Sequence, residues 1–172
     1  NGRACSPECP AALQRLTPGT EINFANWPLY IDPSHETLKD FTATTGTTVS
    51  YAEVIQDNGS WYNQVSPILR KRQSIGYDIM VVTDGFYFSG LVTAGDLVPL
   101  DQKVMPNFYR YARPRLKNRS YDPGNIYSMP WAGGATGIAW NPDFIHKDIT
   151  SIDELWNPAY KGRVGMMDDL LD

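Results

Sequence analysis

The chain has 172 residues and no apolar run approaching the roughly 20 residues of a membrane span, so it does not read as a membrane channel. It also lacks a basic block. Fifteen Lys and Arg face 19 Asp and Glu, for a net charge of −4. Nucleic acid, whose phosphates need a Lys/Arg stripe, is therefore not an expected partner. The only dense basic segment, Leu69–Arg70–Lys71–Arg72, reads as a solvated helix face. Histidine is scarce: His35 and His146 are the only two, and no G-x-S-x-G elbow exists. A Ser-His-Asp hydrolase thus lacks its nucleophile turn, and His35, at a predicted helix start, reads as a surface residue and not a base. Gly133–Gly134–Ala135–Thr136–Gly137 is Gly-rich, but no Gly-Lys-Ser/Thr follows, so a phosphate loop is excluded. That stretch reads instead as a place where backbones approach closely. Metal-ligand spacing is absent, and no cofactor is implied.

Cysteine is confined to Cys5 and Cys9. One C-x-x-x-C pair is too few ligands for a structural zinc, which needs about four. A disulfide there would close a very small loop and contribute little. Residues 1–20 read as a polar, flexible leader without an apolar signal-peptide core. A cytosolic chain and one whose signal has been removed stay equally open at this point.

Aromatic residues are abundant, with five Trp, ten Tyr and six Phe. Several lie beside Gly, Pro and Asp, where pockets are built. Along the chain, Glu21–Trp27 reads as a buried strand stopped by Pro28. Pro33–Ser34 opens a helix to Thr45, with Ser34 as N-cap, Leu38 and Phe41 facing inward, and Gly46 as its end. Thr47–Val54 alternates as a strand. Asp57–Asn58–Gly59 is a turn, after which Ser60 caps a helix to about Ser74 that Pro67 should kink or split. Tyr77–Val82 is a short apolar run expected to be buried on both faces. Phe86–Ala94 is a short helix closed by Gly95.

Strand and helix alternate three times in the first hundred residues. That pattern implies an α/β fold with a parallel sheet flanked by helices. Ligands of such sheets bind beyond the carboxyl ends of the strands, here at Asn26–Trp27 and Thr83–Asp84. From Met105 to Asn125 the pattern loosens. Tyr127–Trp131 and Thr136–Trp140 look extended, and Ser151–Ile152–Asp153–Glu154 is a capping box opening a short helix. Arg163–Met167 reads as another strand. A chain ending directly after a strand suggests truncation, with a second lobe beginning near residue 141.

Four segments together resemble the polyamine-binding (spermidine/putrescine) periplasmic proteins that feed ABC importers. They are NFANWPLYIDP (Asn23–Pro33), YDIMVVTDGF (Tyr77–Phe86), YSMPWAGGATGIAWN (Tyr127–Asn141) and SIDELWNPAYKGRVGMMDD (Ser151–Asp169), in the family's order. The resemblance implies a hinged, two-lobed protein with a type II periplasmic-binding-protein fold. Residues 21–140 would form an incomplete lobe one, and 141–172 the hinge and the truncated start of lobe two. It implies a small cationic ligand, a membrane permease as partner, and an extracytoplasmic location, periplasmic or lipid-anchored. Trp27 and Tyr30 match the family's aromatic wall, and Asp169 and Asp172 its acidic pair. Asp84 and Phe86 stand where the family has a small hydroxyl residue and a Tyr, with Tyr87 as a possible replacement for that hydroxyl.

The chemistry of a polyamine fits these residues. Its methylenes and ammonium groups call for aromatic faces and carboxylates. Competing structural roles stay open: Trp27 capping the sheet end, Phe86 in the core, Asp84 capping the next helix. Trp131, Trp140 and Trp156 read as core or hinge packing. An apolar surface around Trp140, Phe144 and Trp156 is expected where lobe two would pack, and with it self-association of the chain. The reading is a binding protein rather than an enzyme. The alternatives are a binder of another small solute, such as an amino acid derivative or a sugar, and a doubly wound enzyme whose catalytic half is missing.

Overall fold

A computed structural model describes residues 21–166, which divide into two compact units between Trp131 and Ala132. The readings of Cys5, Cys9, Asp169 and Asp172 lie outside the described residues.

In the first unit, the expected alternation forms the parallel sheet. Strand β1 (Glu21–Asn26) lies between β2 (Thr48–Glu53) and β3 (Ile79–Met80). The β1–β2 register runs from Glu21↔Thr48 to Asn26↔Glu53, and β3 pairs through Phe24↔Ile79 and Ala25↔Met80. Helices α1 (Glu36–Thr45), α2 (Asn58–Leu69) and α3 (Phe86–Ala94) follow the strands, and a short α4 (Pro106–Tyr111) comes later. The α/β class is thus as expected.

Successive side chains of β1 serve opposite faces of the sheet. Fully buried Ala25 joins Ile55, Trp61 and Val65 in the core beneath α2. Phe24 meets Tyr51 and Trp131 edge-on, with centroids 5.5 and 5.7 Å away. Helices α2 and α3 approach closely because Gly90 leaves room for the Tyr62 hydroxyl, which would stand 2.8 Å from any Cβ there.

Several local expectations are corrected. Helix α1 starts at Glu36, not at Pro33–Ser34, and Ser34 does not cap it. The Ser34 N–H turns back to Asp32 Oδ1 at 2.8 Å, and His35 takes the cap position in a left-handed conformation. No residue of α1 is buried, and Phe41 is exposed instead of facing inward. Asp57, not Ser60, caps α2: its carboxylate accepts the Ser60 N–H at 2.6 Å. An ionised acceptor at that position satisfies an otherwise unpaired helix donor. The helix continues through Pro67 and ends at Leu69, short of Ser74. Strand β3 spans only Ile79–Met80, and Ile79 is 48% exposed, so the run is not buried on both faces. Among the described residues β3 pairs on one side only, which explains the exposure.

No strand follows β3 among the described residues, so 127–131, 136–140 and 163–166 are not ladder strands. A Cβ on Gly133, Gly134 or Gly137 would meet nothing within 4 Å, so these glycines do not serve close backbone approach. Trp131, Trp140 and Trp156 are exposed rather than core.

In the second unit, Ser151 Oγ accepts the Asp153 N–H at 3.1 Å and opens a 3₁₀ turn, Ile152–Trp156. Glu154 does not complete a capping box. Its carboxylate takes Lys147 Nζ at 2.6 Å and Asn157 Nδ2 at 2.9 Å. Phe144 and Trp156 are 76% and 70% exposed, which leaves apolar surface uncovered in this unit.

Candidate functional site

The carboxyl ends of β1 and β3 position the candidate residues of the first unit. At the end of β1, Asn26 is fully buried and its Oδ1 accepts the Trp27 N–H at 2.8 Å. The Asn26 carbonyl accepts the Val54 and Ile55 N–H groups, both at 3.1 Å, tying the strand exit to the end of β2. Pro28 cannot extend the ladder, and the chain turns. The Tyr30 N–H reaches the Trp27 carbonyl at 3.4 Å, and Leu29 adopts a φ of 63°. That conformation is uncommon for a non-glycine residue. It is held by the Leu29 N–H donating to Glu53 Oε1 at 3.2 Å.

This turn brings two aromatic faces together. The Trp27 and Tyr30 rings stack with centroids 6.2 Å apart and planes at 27°. The indole Nε1–H donates to the Val81 carbonyl at 3.0 Å, which pins Trp27 against the exit of β3. Trp27 is half-buried and packs on the core, whereas Tyr30 is 45% exposed. Trp27 therefore has a structural role at the sheet end and also keeps accessible surface.

The β3 exit is fixed by a reciprocal pair. Asn58 Nδ2 donates to Thr83 Oγ1 at 2.8 Å, and the Thr83 N–H donates to Asn58 Oδ1 at 3.1 Å. Asn58 is 3% exposed, so both of its polar ends are satisfied within the protein. Exposed Asp84 follows directly. It does not cap α3: the cap position belongs to Gly85, which makes no side-chain capping bond. Gly85 has a φ of 97°, a conformation open to glycine. Asp84 Oδ2 instead accepts the Tyr121 hydroxyl at 2.7 Å. Phe86 is 69% exposed and so is not core. Tyr87 packs between helices, 5.5 Å from the Tyr62 ring with its hydroxyl over Gly59.

Burial and neighbouring carboxylates raise the pKa of two phenols of this region. Burial, then hydrogen bonding and charge from Asp84, push the Tyr121 hydroxyl up from its ordinary value. Burial, then the charge of Glu53, does the same for Tyr51.

The structure thus brings Trp27 and Tyr30 together and sets Asp84 and Phe86 just beyond the neighbouring strand. Tyr121, Asn58 and Asp122 were missed by sequence reasoning. Asp122-Pro-Gly-Asn is a readable turn signature, but no local pattern joins Tyr121 to Asp84. Asp122 is 1% exposed, and its carboxylate accepts the N–H groups of Ile126, Tyr127 and Ser128 and the Ser128 hydroxyl. That cage fixes the loop carrying Tyr121. Among the described residues, no cluster of His, Cys, Asp and Glu could hold a metal ion, and no helix is long and apolar enough to cross a membrane. Two stacked aromatic faces at one strand exit and an exposed carboxylate after the neighbouring strand are groups that an organic cation with an apolar body calls for.

Residues 27–165 match the model of the bacterial extracellular solute-binding protein family. A spermidine/putrescine-binding periplasmic protein of Salmonella typhimurium is 34% identical over 149 residues, covering 86% of this chain and 40% of that relative. A putrescine/agmatine-binding protein of Pseudomonas aeruginosa is 34% identical over 129 residues, covering 74% of this chain and 33% of its own length. The solved spermidine/putrescine substrate-binding protein of Streptococcus pneumoniae aligns with a TM-score of 0.62 and 31% identity, over 83% of this chain and 41% of that one. The chain therefore spans about two-fifths or less of these relatives' lengths.

Proposed function

The chain belongs to the bacterial extracellular solute-binding protein family, and from that membership we propose that it is part of a polyamine-binding component of an ABC importer. It binds a spermidine- or putrescine-like cation outside the cytoplasm and presents it to a membrane permease. It is a binding protein and not an enzyme. Residues 21–140 belong to lobe one, and 141–172 to the hinge and the opening of lobe two. Ligand is held between the lobes by hinge closure. Trp27, Tyr30, Asp84 and Phe86 contribute from lobe one, and Asp169 and Asp172 from the start of lobe two.

The observation that carries this reading is the Trp27–Tyr30 stack beside the exit of β3, with exposed Asp84 three residues beyond the carbonyl that holds the indole. A methylene chain can lie on the aromatic faces while an ammonium group meets the carboxylate. The names of the relatives support the same ligand class.

Titration calorimetry on the protein at its full natural length tests the reading. Putrescine or spermidine should give saturable heat, and Trp27→Ala should weaken binding more than Asp84→Asn. The indole offers both methylene burial and cation attraction, the latter worth about 0.5–2 kcal/mol. Absence of heat with either amine, or wild-type binding by Trp27→Ala, would sink the proposal.

A further inference from the structure

We infer that Tyr121 sets the cation preference of the strand-end site, favouring an ammonium over a guanidinium; this rests on the reading of Asp84 as a ligand contact. The Tyr121 hydroxyl donates to Asp84 Oδ2 at 2.7 Å, so one carboxylate oxygen is engaged before any ligand arrives. Among the described residues no hydrogen bond falls on Oδ1, and Asp84 is exposed. A guanidinium binds a carboxylate best as a fork, one N–H to each oxygen. An ammonium is a compact point charge that a single oxygen satisfies. The Tyr121 hydroxyl takes one of the lone pairs on Oδ2 and draws on its charge, so the second arm of a fork meets a weakened acceptor, while a single contact on Oδ1 is spared.

The pair is built into the fold. Tyr121 is half-buried, and its ring meets Phe88 edge-on at 5.7 Å. Phe88 is 6% exposed and lies on α3, the helix that follows Asp84. The neighbouring Asp122 cage holds the loop. The Arg119 guanidinium lies 5.8 Å from the centre of the Tyr121 ring. Its charge opposes either kind of cation, so it does not discriminate between them. No segment resembling a known family marks Tyr121; only the fold brings it to Asp84.

The test compares putrescine with 1,4-diguanidinobutane, which has the same four-carbon spacer and a guanidinium at each end, so it cannot reverse to offer an ammonium. Dissociation constants are measured by calorimetry on the full-length protein, on Tyr121→Phe and on Arg119→Gln. The Phe variant keeps the ring and its Phe88 contact. Wild type should prefer putrescine, and Tyr121→Phe should shrink that preference about tenfold, equivalent to about 1.4 kcal/mol. Arg119→Gln should leave the ratio in place. The inference is overturned if wild type binds both ligands equally, if Tyr121→Phe keeps the wild-type ratio, or if the ratio moves with Arg119 alone. Wild type that binds neither compound overturns the polyamine reading itself. Binding of putrescine with a ratio insensitive to Tyr121 overturns only the role of Tyr121.

Discussion

Replacing Asp122 by Ala should destabilise the first unit severely. The carboxylate is 1% exposed and receives four donors: the N–H groups of Ile126 at 2.9 Å, Tyr127 at 3.1 Å and Ser128 at 2.9 Å, and the Ser128 hydroxyl at 2.7 Å. Hydrogen bonds to a charged group contribute about 1.5–3 kcal/mol each. The four do not simply add, because they share one carboxylate and water can enter the emptied space. A loss of about 3–5 kcal/mol is expected, the range for breaking a buried charged network by removing one partner. That is a large fraction of the about 5–15 kcal/mol that holds a typical domain together. Asp122→Asn should lose less, because one oxygen still accepts while the new NH₂ opposes the remaining donors. Urea denaturation followed by circular dichroism measures both variants. A loss below about 1 kcal/mol for Asp122→Ala would mean that the cage does not hold the 122–128 loop, and the reasoning would fail.

Asp96 gives the opposite expectation. Both its carboxylate oxygens are buried without a hydrogen-bond partner, and burial raises its pKa against the lowering influence of Arg70 and Arg72. Asp96→Asn should therefore raise the melting temperature at neutral pH. Folding takes up a proton at a raised carboxyl, so wild-type stability should rise as pH falls through the raised folded value, and the variant's advantage should shrink there. An advantage that persists at low pH would contradict this. Asp57 behaves conversely: the Ser60 N–H it accepts lowers its pKa. Asp57→Ala should cost stability above the ordinary carboxylate range, and that cost should fade as pH drops through the depressed folded value; thermal melts across pH check it. The isolated 172-residue chain should self-associate through Phe144 and Trp156, which are exposed. Sedimentation showing a strict monomer would count against that expectation.

The fold was legible where hydrophobic period and punctuation agree. EINFAN and TVSYAE alternate and are bounded by Pro28 and Gly46, and they pair residue for residue. Gly46 and Gly95 end their helices in the left-handed conformation that glycine accepts freely. Boundaries failed where a side chain competed for the backbone. Asp32 drew the Ser34 N–H into a turn, and Asp57 took the cap assigned to Ser60. Tyr77–Val82 read as a doubly buried strand because an apolar run does not say how many neighbours its strand will have; β3 has one among the described residues. In the candidate site, Trp27 and Tyr30 were readable because one short turn after a strand carries both. Tyr121 was not, because its link to Asp84 crosses 37 residues of sequence and depends on the loop around Asp122.

The most direct test of the central claim is a crystal structure of the full-length protein with putrescine. The methylene chain should lie against the Trp27 and Tyr30 rings, with one ammonium nitrogen within hydrogen-bond distance of Asp84 Oδ1. A ligand bound elsewhere, or a closed protein whose Trp27 and Asp84 face separate surfaces, would contradict it.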